Sequence, residues 1–343
     1  MKTYTRIFSS LFIILTIVVT MMSIYFKDYA NKPLSVSDKE VQFVVEPGMH
    51  FKQITQRLVE RGLITETMPW NMFGRLSGAS NSIKAGEYTL RENLSPLQLL
   101  NKLIKGDIEQ FSLTVIEGWT FKQLWQAVQG HEKIKQTATT QEELLSMLEF
   151  QQHPEGWFYP DTYHFPAGTT DVDFFRRAHD YMEQVLEEEW SKRPKDTLLQ
   201  SPEEVLTLAS IIEKETSVDD ERELVAAVFN TRLKRNMRLQ TDPTVIYGLG
   251  ETYDGNIRRK DLKTDTPYNT YVHKGLPPTP IALPSRASIA AALHPADSEV
   301  LFFVSKGDGT HYFSKTYDEH REAVIKYQLG GKKSKYKANH KSE

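Results

Sequence analysis

The chain contains no cysteine. Disulfides, thiolate nucleophiles, cysteine-bound zinc or iron–sulfur clusters and a lipid-modified N-terminal cysteine are therefore excluded. A basic surplus is missing as well: 42 Lys and Arg stand against 45 Asp and Glu, a formal net charge of -3. Nothing in that balance neutralises a phosphate backbone, so nucleic acid is not an expected partner. Among the ten histidines there is no His-Glu-x-x-His or comparable ligand spacing, and neither a Gly-rich phosphate loop nor a Gly-x-Ser-x-Gly elbow occurs. No metal and no cofactor is expected, and His294, His311 and His320 read as loop or core residues. At 343 residues, 39% hydrophobic and 11% aromatic, the chain is too apolar for disorder and too long for one ordinary core. Its chemistry must come from carboxylates, hydroxyls, imidazoles or amines.

One long uncharged run stands out. After the basic start Met1-Lys2-Thr3-Tyr4-Thr5-Arg6, residues 7–26 carry no charge. As a helix they span about 30 Å, which matches a hydrocarbon core. A cleaved secretory signal would have a shorter apolar core and an Ala-x-Ala-like site, whereas this run ends Met21-Met22-Ser23-Ile24-Tyr25-Phe26-Lys27-Asp28. The expectation is a single-pass transmembrane anchor over 7–26. Lys2 and Arg6 put residues 1–6 in the cytoplasm, with Lys27 and Lys32 reducing the contrast across the span. The anchor then sits in the cytoplasmic (inner) membrane and the bulk of the chain in the periplasm or cell envelope.

Residues 27–38 are polar with one proline and predict a tether. A small module follows over 39–108. It reads as a strand over 41–45, a turn at 46–48, a helix over 51–60 with Phe51, Ile54 and Leu58 on one face, a second helix over 68–76, a returning strand over 83–90 and a short helix from Ser95 to Ile104. That order of strand, helix, helix and strand resembles a LysM-like glycan-binding module. The segment Glu46-Pro47-Gly48-Met49-His50-Phe51-Lys52-Gln53-Ile54 also resembles Glu117-Gly118-Trp119-Thr120-Phe121-Lys122-Gln123-Leu124. Two copies are too few for a stacking array. The second copy opens a larger mixed α/β catalytic domain expected over 109–328, and a basic tail occupies 329–343. The fold class expected is α+β.

Ser201-Pro202-Glu203-Glu204 has the parts of a helix start: a serine cap, a proline in the first turn and a glutamate three residues on. In the following run, about 100° per residue places Val205, Leu208, Ala209, Ile212 and Thr216 on one face, with Leu206 on its edge. Glu213 projects between Ala209 and Leu206, Lys214 points to the opposite pole, and Glu215 falls on the other edge beside Leu208 and Ile211. A carboxyl held in an apolar arc loses hydration, so its pKa rises. A general acid working near neutrality needs that rise. Glu213 is the candidate catalytic residue on this reading, and a structural pairing with Arg222 or Arg232 is the alternative.

A second amphipathic helix is expected over 219–234. Beyond it, Gln240, Thr241 and Asp242 offer hydrogen-bonding groups before Pro243, which biases the backbone there towards an extended or turn conformation. Tyr247, Tyr268, Asn269 and Tyr271 add aromatic and amide groups, and Gly275-Leu276-Pro277-Pro278-Thr279-Pro280-Ile281 reads as a stiff loop. Aromatic faces beside amides and carboxylates suit a sugar, which has an apolar face and a hydroxyl rim; the same composition occurs in ordinary tight loops. Gln240, Thr241, Asp242, Tyr247, Tyr268, Asn269 and Tyr271 are the candidate substrate-binding residues. The acidic run Glu187-Glu188-Glu189 reads as a solvated helix face.

Three blocks resemble signatures of the MltG, or YceG-like, endolytic murein transglycosylases. They are Glu155-Gly156-Trp157-Phe158-Tyr159-Pro160-Asp161-Thr162-Tyr163, Ala209-Ser210-Ile211-Ile212-Glu213-Lys214-Glu215-Thr216, and Arg238-Leu239-Gln240-Thr241-Asp242-Pro243-Thr244-Val245-Ile246-Tyr247-Gly248. Tyr268-Asn269-Thr270-Tyr271, Gly275-Leu276-Pro277-Pro278, Phe303-Val304 and Gly309-Thr310-His311-Tyr312-Phe313 extend the likeness over nearly the whole exported chain. Where the family commonly has an Asn-Pro-Gly-like turn, this chain has Leu283-Pro284-Ser285-Arg286. That departure bears on the backbone of the turn and, as read from sequence, leaves the Glu213 block untouched.

The resemblance implies that the residue at Glu213 is catalytic. It implies cleavage of the β-1,4 bond between N-acetylmuramic acid and N-acetylglucosamine within peptidoglycan glycan strands, leaving a 1,6-anhydromuramoyl end and limiting the length of nascent strands. One carboxyl can serve both halves of that reaction, first as acid and then as base towards the sugar's own C6 hydroxyl. Hydrolysis would need a second carboxylate, for which Asp242 and Glu215 are candidates. Association with penicillin-binding glycan polymerases is also implied. A glycan-binding scaffold of the wall-synthesis machinery and a hydrolytic muramidase are the competing functions.

Overall fold

The computed structural model describes residues 2–34, 40–79 and 82–333. Two compact units divide the chain, Met1–Phe111 with His164–Thr169 and Ser112–Tyr163 with Thr170–Glu343. Helices and short strands occur in both, as an α+β sequence pattern predicts.

In the first unit, α1 (Lys2–Asn31) is followed by β1 (Glu40–Val45), α2 (Phe51–Glu60), α3 (Thr67–Leu76), β2 (Gly86–Arg91) and α4 (Pro96–Lys105). Strands β1 and β2 pair antiparallel, with Glu40 opposite Arg91 and Val45 opposite Gly86. Period-two alternation turns Phe43, Val45, Tyr88 and Leu90 into a core that also buries Ile54, Leu58, Trp70, Leu99 and Leu103. Burying each such side chain stabilises the unit by about 1.5–3 kcal/mol.

Helix α1 does not stop at the end of the apolar run. It continues to Asn31, and Tyr29, Ala30 and Leu34 are buried in the core of the first unit. The tether expected to begin at residue 27 is thus helical and packed over its first half, while residues 35–39 lie outside the described residues. The cause is local. No helix breaker occurs between Phe26 and Pro33, and Tyr29 and Ala30 give the extension something to bury. Most of the basic tail, residues 334–343, also lies outside the described residues.

Along the rest of the chain come β3 (Gln110–Thr114), α5 (Phe121–Gln129), β4 (Ile134–Lys135), α6 (Gln141–Met147), β5 (Thr162–Pro166), β6 (Thr169–Thr170), α7 (Asp171–Ser191), α8 (Pro202–Glu215) and α9 (Asp219–Lys234). They are followed by α10 (Asp242–Leu249), α11 (Arg286–Leu293), β7 (Phe302–Ser305), β8 (His311–Ser314) and α12 (Tyr317–Tyr327). Strands β7 and β8 form an antiparallel hairpin that sets Ser305 opposite His311.

The centre of the second unit is α8, against which α7, α9, α10 and α11 pack. Its periodicity predicts one buried face, yet every residue from Val205 to Ile212 is buried. Four neighbouring helices cover it all round, and its two interior hydroxyls are satisfied within the helix: Thr207 donates to the Glu203 carbonyl at 2.8 Å and Ser210 to that of Thr207 at 2.8 Å. The two related sequence segments share a local structure as well. In each, a left-handed glycine (Gly48, φ 82°; Gly118, φ 76°) precedes a helix whose third residue, Gln53 or Gln123, accepts from the backbone N–H of the cap residue His50 or Thr120.

Candidate active site

Glu213 and Glu215, two residues apart on α8, leave the helix about 200° apart. The structure gives them different surroundings. Glu213 Oε2 accepts three hydrogen bonds: from the Ser285 N–H at 2.9 Å, the Ser285 hydroxyl at 2.5 Å and the Ser288 hydroxyl at 2.7 Å. Ser285 is also the N-cap of α11, accepting from the Ser288 N–H at 3.2 Å. The polar end of Glu213 is thus a clasp between α8 and α11, satisfied by donors. Burial, and then the charge of Glu213, push the neighbouring Glu117 carboxyl up.

This clasp corrects one expectation. The Leu283-Pro284-Ser285-Arg286 departure does reach the Glu213 block, because Ser285 supplies two of the three donors. Leu283 is a core residue, fully buried, whose backbone exchanges hydrogen bonds with Gly118 and Trp119. Arg286 reaches back to Glu188 and Glu189 on α7 at 2.6 and 2.8 Å, so of the acidic run read from sequence as a solvated face, Glu187 is exposed as expected while Glu188 and the buried Glu189 fasten the start of α11.

Glu215, the last residue of α8, faces a cleft of about 750 Å³ also lined by Arg232, Gln240, Thr241, Asp242, Tyr271, Phe302 and His311. Burial pushes its carboxyl up to about 7, opposed by a hydrogen bond from the Thr241 hydroxyl, raised further by the charge of Asp242 and lowered by His311 and Arg232. Glu213 is not among the lining residues.

The cleft is built by loops tied to one another and to α9 by hydrogen bonds. Gln240 has a left-handed backbone, φ 52°, and its N–H donates to the Thr270 carbonyl at 3.2 Å. Thr241 follows with its N–H on the Thr270 hydroxyl at 3.1 Å. A non-glycine residue in that region is strained, and fixed contacts on either side are what sustain it. Tyr271 donates its hydroxyl to Asp242 Oδ1 at 2.7 Å, and burial and that carboxylate push the phenol up. Arg232 is buried, with its guanidinium on the carbonyls of Leu301 at 2.8 Å and Leu239 at 2.7 Å and lying over the Phe302 ring. It therefore fixes the hairpin and the 238–242 loop against α9. It makes no ion pair with Glu213, the alternative raised by the sequence.

The remaining expected residues lie elsewhere. Tyr247 donates to Glu155 Oε2 at 3.1 Å, and its ring stands edge-on to Tyr268, whose hydroxyl meets that of Thr279 at 2.9 Å. Glu155 also accepts from the Phe121 N–H at 2.8 Å, and burial pushes it up to about 7. Asn269 is buried and donates to the carbonyls of Asp261, Leu262 and Thr264 at 3.2, 3.2 and 2.7 Å. Its amide ties a loop together. Of the seven expected substrate residues, the structure brings Gln240, Thr241, Asp242 and Tyr271 to one cleft and places Tyr247, Tyr268 and Asn269 outside its lining. Among the described residues, no cluster of three or more His, Asp or Glu could hold a metal ion.

The profile of the YceG-like family matches residues 43–326. The chain belongs to the YceG-like family. The endolytic murein transglycosylase of Bacillus subtilis is 31% identical over 311 residues, covering 85% of this chain and 86% of that protein. That of Streptococcus pneumoniae serotype 2 is 27% identical over 327 residues, and the match covers 85% of this chain but 59% of that longer protein. A crystallised YceG-like protein of Listeria monocytogenes is 30% identical with a TM-score of 0.54, covering 83% of this chain and 98% of that one.

Several cleft residues of this YceG-like chain, His311, His320 and Arg232 among them, carry no site signal of their own in the sequence. His311, read as a loop or core residue, lines the cleft; Glu221 accepts its N–H at 2.7 Å and contacts its Nδ1 at 2.7 Å. In the sequence Arg232 stands out only as a possible partner for Glu213. The one sequence signal for any of them is that His311 sits in a block carrying the family resemblance.

Proposed function

We propose that this chain is an endolytic peptidoglycan lytic transglycosylase whose proton donor and acceptor is Glu215. One observation carries the choice: Glu215 lines the cleft with a carboxyl pushed up to about 7, whereas Glu213 is clasped by three donors away from that lining. At pH 7 such a group is about half protonated, and Brønsted behaviour favours a catalyst whose pKa lies near the working pH. The relatives named endolytic murein transglycosylases supply the substrate class.

Protonated Glu215 gives its proton to the glycosidic oxygen as the bond from the muramic acid C1 to that oxygen breaks. The resulting carboxylate takes the proton of the C6 hydroxyl, whose oxygen bonds to C1. No water enters, and a 1,6-anhydromuramoyl end results. Gln240, Asp242 and Tyr271 are the residues available to bind the sugar, with Thr241 holding Glu215. A second reading, hydrolysis, rests on Asp242 sharing the cleft, because a glycosidase needs two carboxylates across the scissile bond.

Helix α1, whose residues 8–31 are long and apolar enough to cross a membrane, anchors the chain in the cytoplasmic membrane with its N-terminus inside. The strand–helix–helix–strand order of β1, α2, α3 and β2 supports a LysM-like role in holding glycan. Cleavage beside membrane-bound penicillin-binding glycan polymerases then limits nascent strand length. Digestion of purified glycan strands with the full chain in detergent, followed by mass spectrometry, tests the reaction. Anhydro ends are expected, ends that have gained water would show a hydrolase, and intact strands a scaffold.

A further inference from the structure

Helix α3 carries an apolar stripe that the first unit leaves uncovered. Met68, Met72 and Leu76 recur every fourth residue and so fall within about 80° of arc. They are 61%, 39% and 76% exposed, while Trp70 and Gly74 on the other side of the helix are buried. Scattered exposed apolar residues need no explanation, but an aligned row of three does.

Its position in the unit says what covers it. Tyr25 donates its hydroxyl to the carboxylate of Glu66, the N-cap of α3, and Tyr29 donates to the Glu66 carbonyl at 2.9 Å. On the same helix, Phe73 meets the rings of Phe26 and Tyr29, at 5.9 and 6.1 Å between centroids. Helix α3 is therefore docked where the apolar surface of α1, exposed from Phe8 to Tyr25, gives way to Lys27 and Asp28. At that level a membrane helix passes through the headgroup boundary, where tyrosine is favoured. An exposed apolar stripe there continues the lipid-facing surface of α1.

We infer that α3 lies in the membrane interface, with Met68, Met72 and Leu76 inserted at the boundary between headgroups and acyl chains. The proposal rests on the anchor reading of α1. Arg75, beside the stripe, and Lys27 and Lys32 at the helix exit suit anionic headgroups. The consequence is that the first unit is held against the bilayer by two elements instead of swinging on a tether, so any glycan it binds is strand close to the membrane.

Because the chain has no cysteine, single-cysteine variants of the full-length protein test this directly. Ile17→Cys, Met72→Cys and Leu76→Cys are labelled with an environment-sensitive dye and reconstituted in phosphatidylethanolamine–phosphatidylglycerol vesicles. Emission at all three positions is expected to shift to the blue, to be quenched by brominated lipid and to resist aqueous iodide. Quenching by bromolipid at 17, with iodide reaching 72 and 76, would overturn the proposal and leave the anchor standing, the stripe then falling to a protein partner. Shielding at 72 that bromolipid does not quench and that grows with protein density would also overturn it, in favour of a second copy. Iodide access at 17 would overturn the anchor and the proposal together.

Discussion

Replacing Glu215 by glutamine is expected to remove activity and add stability at alkaline pH. Burial raises the Glu215 carboxyl from 4.5 to about 7 in the folded chain. Below pH 4.5 both folded and unfolded chains hold the proton, and the group adds no pH dependence. Between 4.5 and 7 the unfolded chain binds fewer protons, so stability falls as pH rises. Above 7 the full cost of an ionised buried carboxyl is present, up to about 3 kcal/mol at 1.36 kcal/mol per pH unit. Glutamine keeps the shape, accepts the Thr241 hydroxyl and cannot ionise. Glu215→Gln should therefore match the wild type near pH 4.5 and exceed it by up to about 3 kcal/mol at pH 8, roughly a hundredfold in amide protection along α8. Cleavage should fall by about 10²–10⁴. Hydrogen exchange of α8 peptides read by mass spectrometry, corrected for intrinsic rates at each pH, measures the first effect. A difference between the two chains that is the same at pH 4.5 and pH 8, or a variant less protected at pH 8, would refute the reasoning.

Wild-type cleavage should decline as pH rises through about 7, because the proton-bearing form of Glu215 is lost there; a rate still climbing at pH 9 would argue against it as the donor. Ser288→Ala removes one of three donors to Glu213 and should cost about 1.5–3 kcal/mol in the urea midpoint of the second unit, without moving the pH dependence of cleavage. Tyr247→Phe takes a donor from buried Glu155. That bond favours the ionised carboxyl, so a loss of about 1.5–3 kcal/mol is expected at pH 8 and a smaller one at pH 5.

Local patterns in the sequence were informative where a segment's own residues decide its structure. The strand segments 41–45 and 83–90, the Ser95 cap and the 219–234 helix all turn on nearest neighbours and spacing, and the observed elements follow them to within three residues, the second strand running from Gly86 to Arg91. The carboxyl proposed as proton donor is harder to read from the sequence. Periodicity placed both Glu213 and Glu215 at the edges of one apolar arc, but the arc dissolves when four helices cover α8, and what separates the two glutamates is long-range. Ser285 and Ser288 arrive from α11, Thr241 from the loop before α10, Arg232 from α9 and His311 from a hairpin near the end of the chain. No spacing rule brings those five together. The helical extension of α1 is illegible for a related reason: residues 27–34 look polar in isolation, and only the packed first unit gives Tyr29 and Leu34 a place to bury.

The most direct test of the central claim compares Glu215→Gln and Glu213→Gln in one assay, digesting purified glycan strands and weighing the chain ends. The account predicts folded but inactive protein for Glu215→Gln, and anhydro ends still formed, at a reduced rate, by Glu213→Gln. Cleavage by Glu215→Gln at the wild-type rate, or its loss only in a well-folded Glu213→Gln, would contradict it.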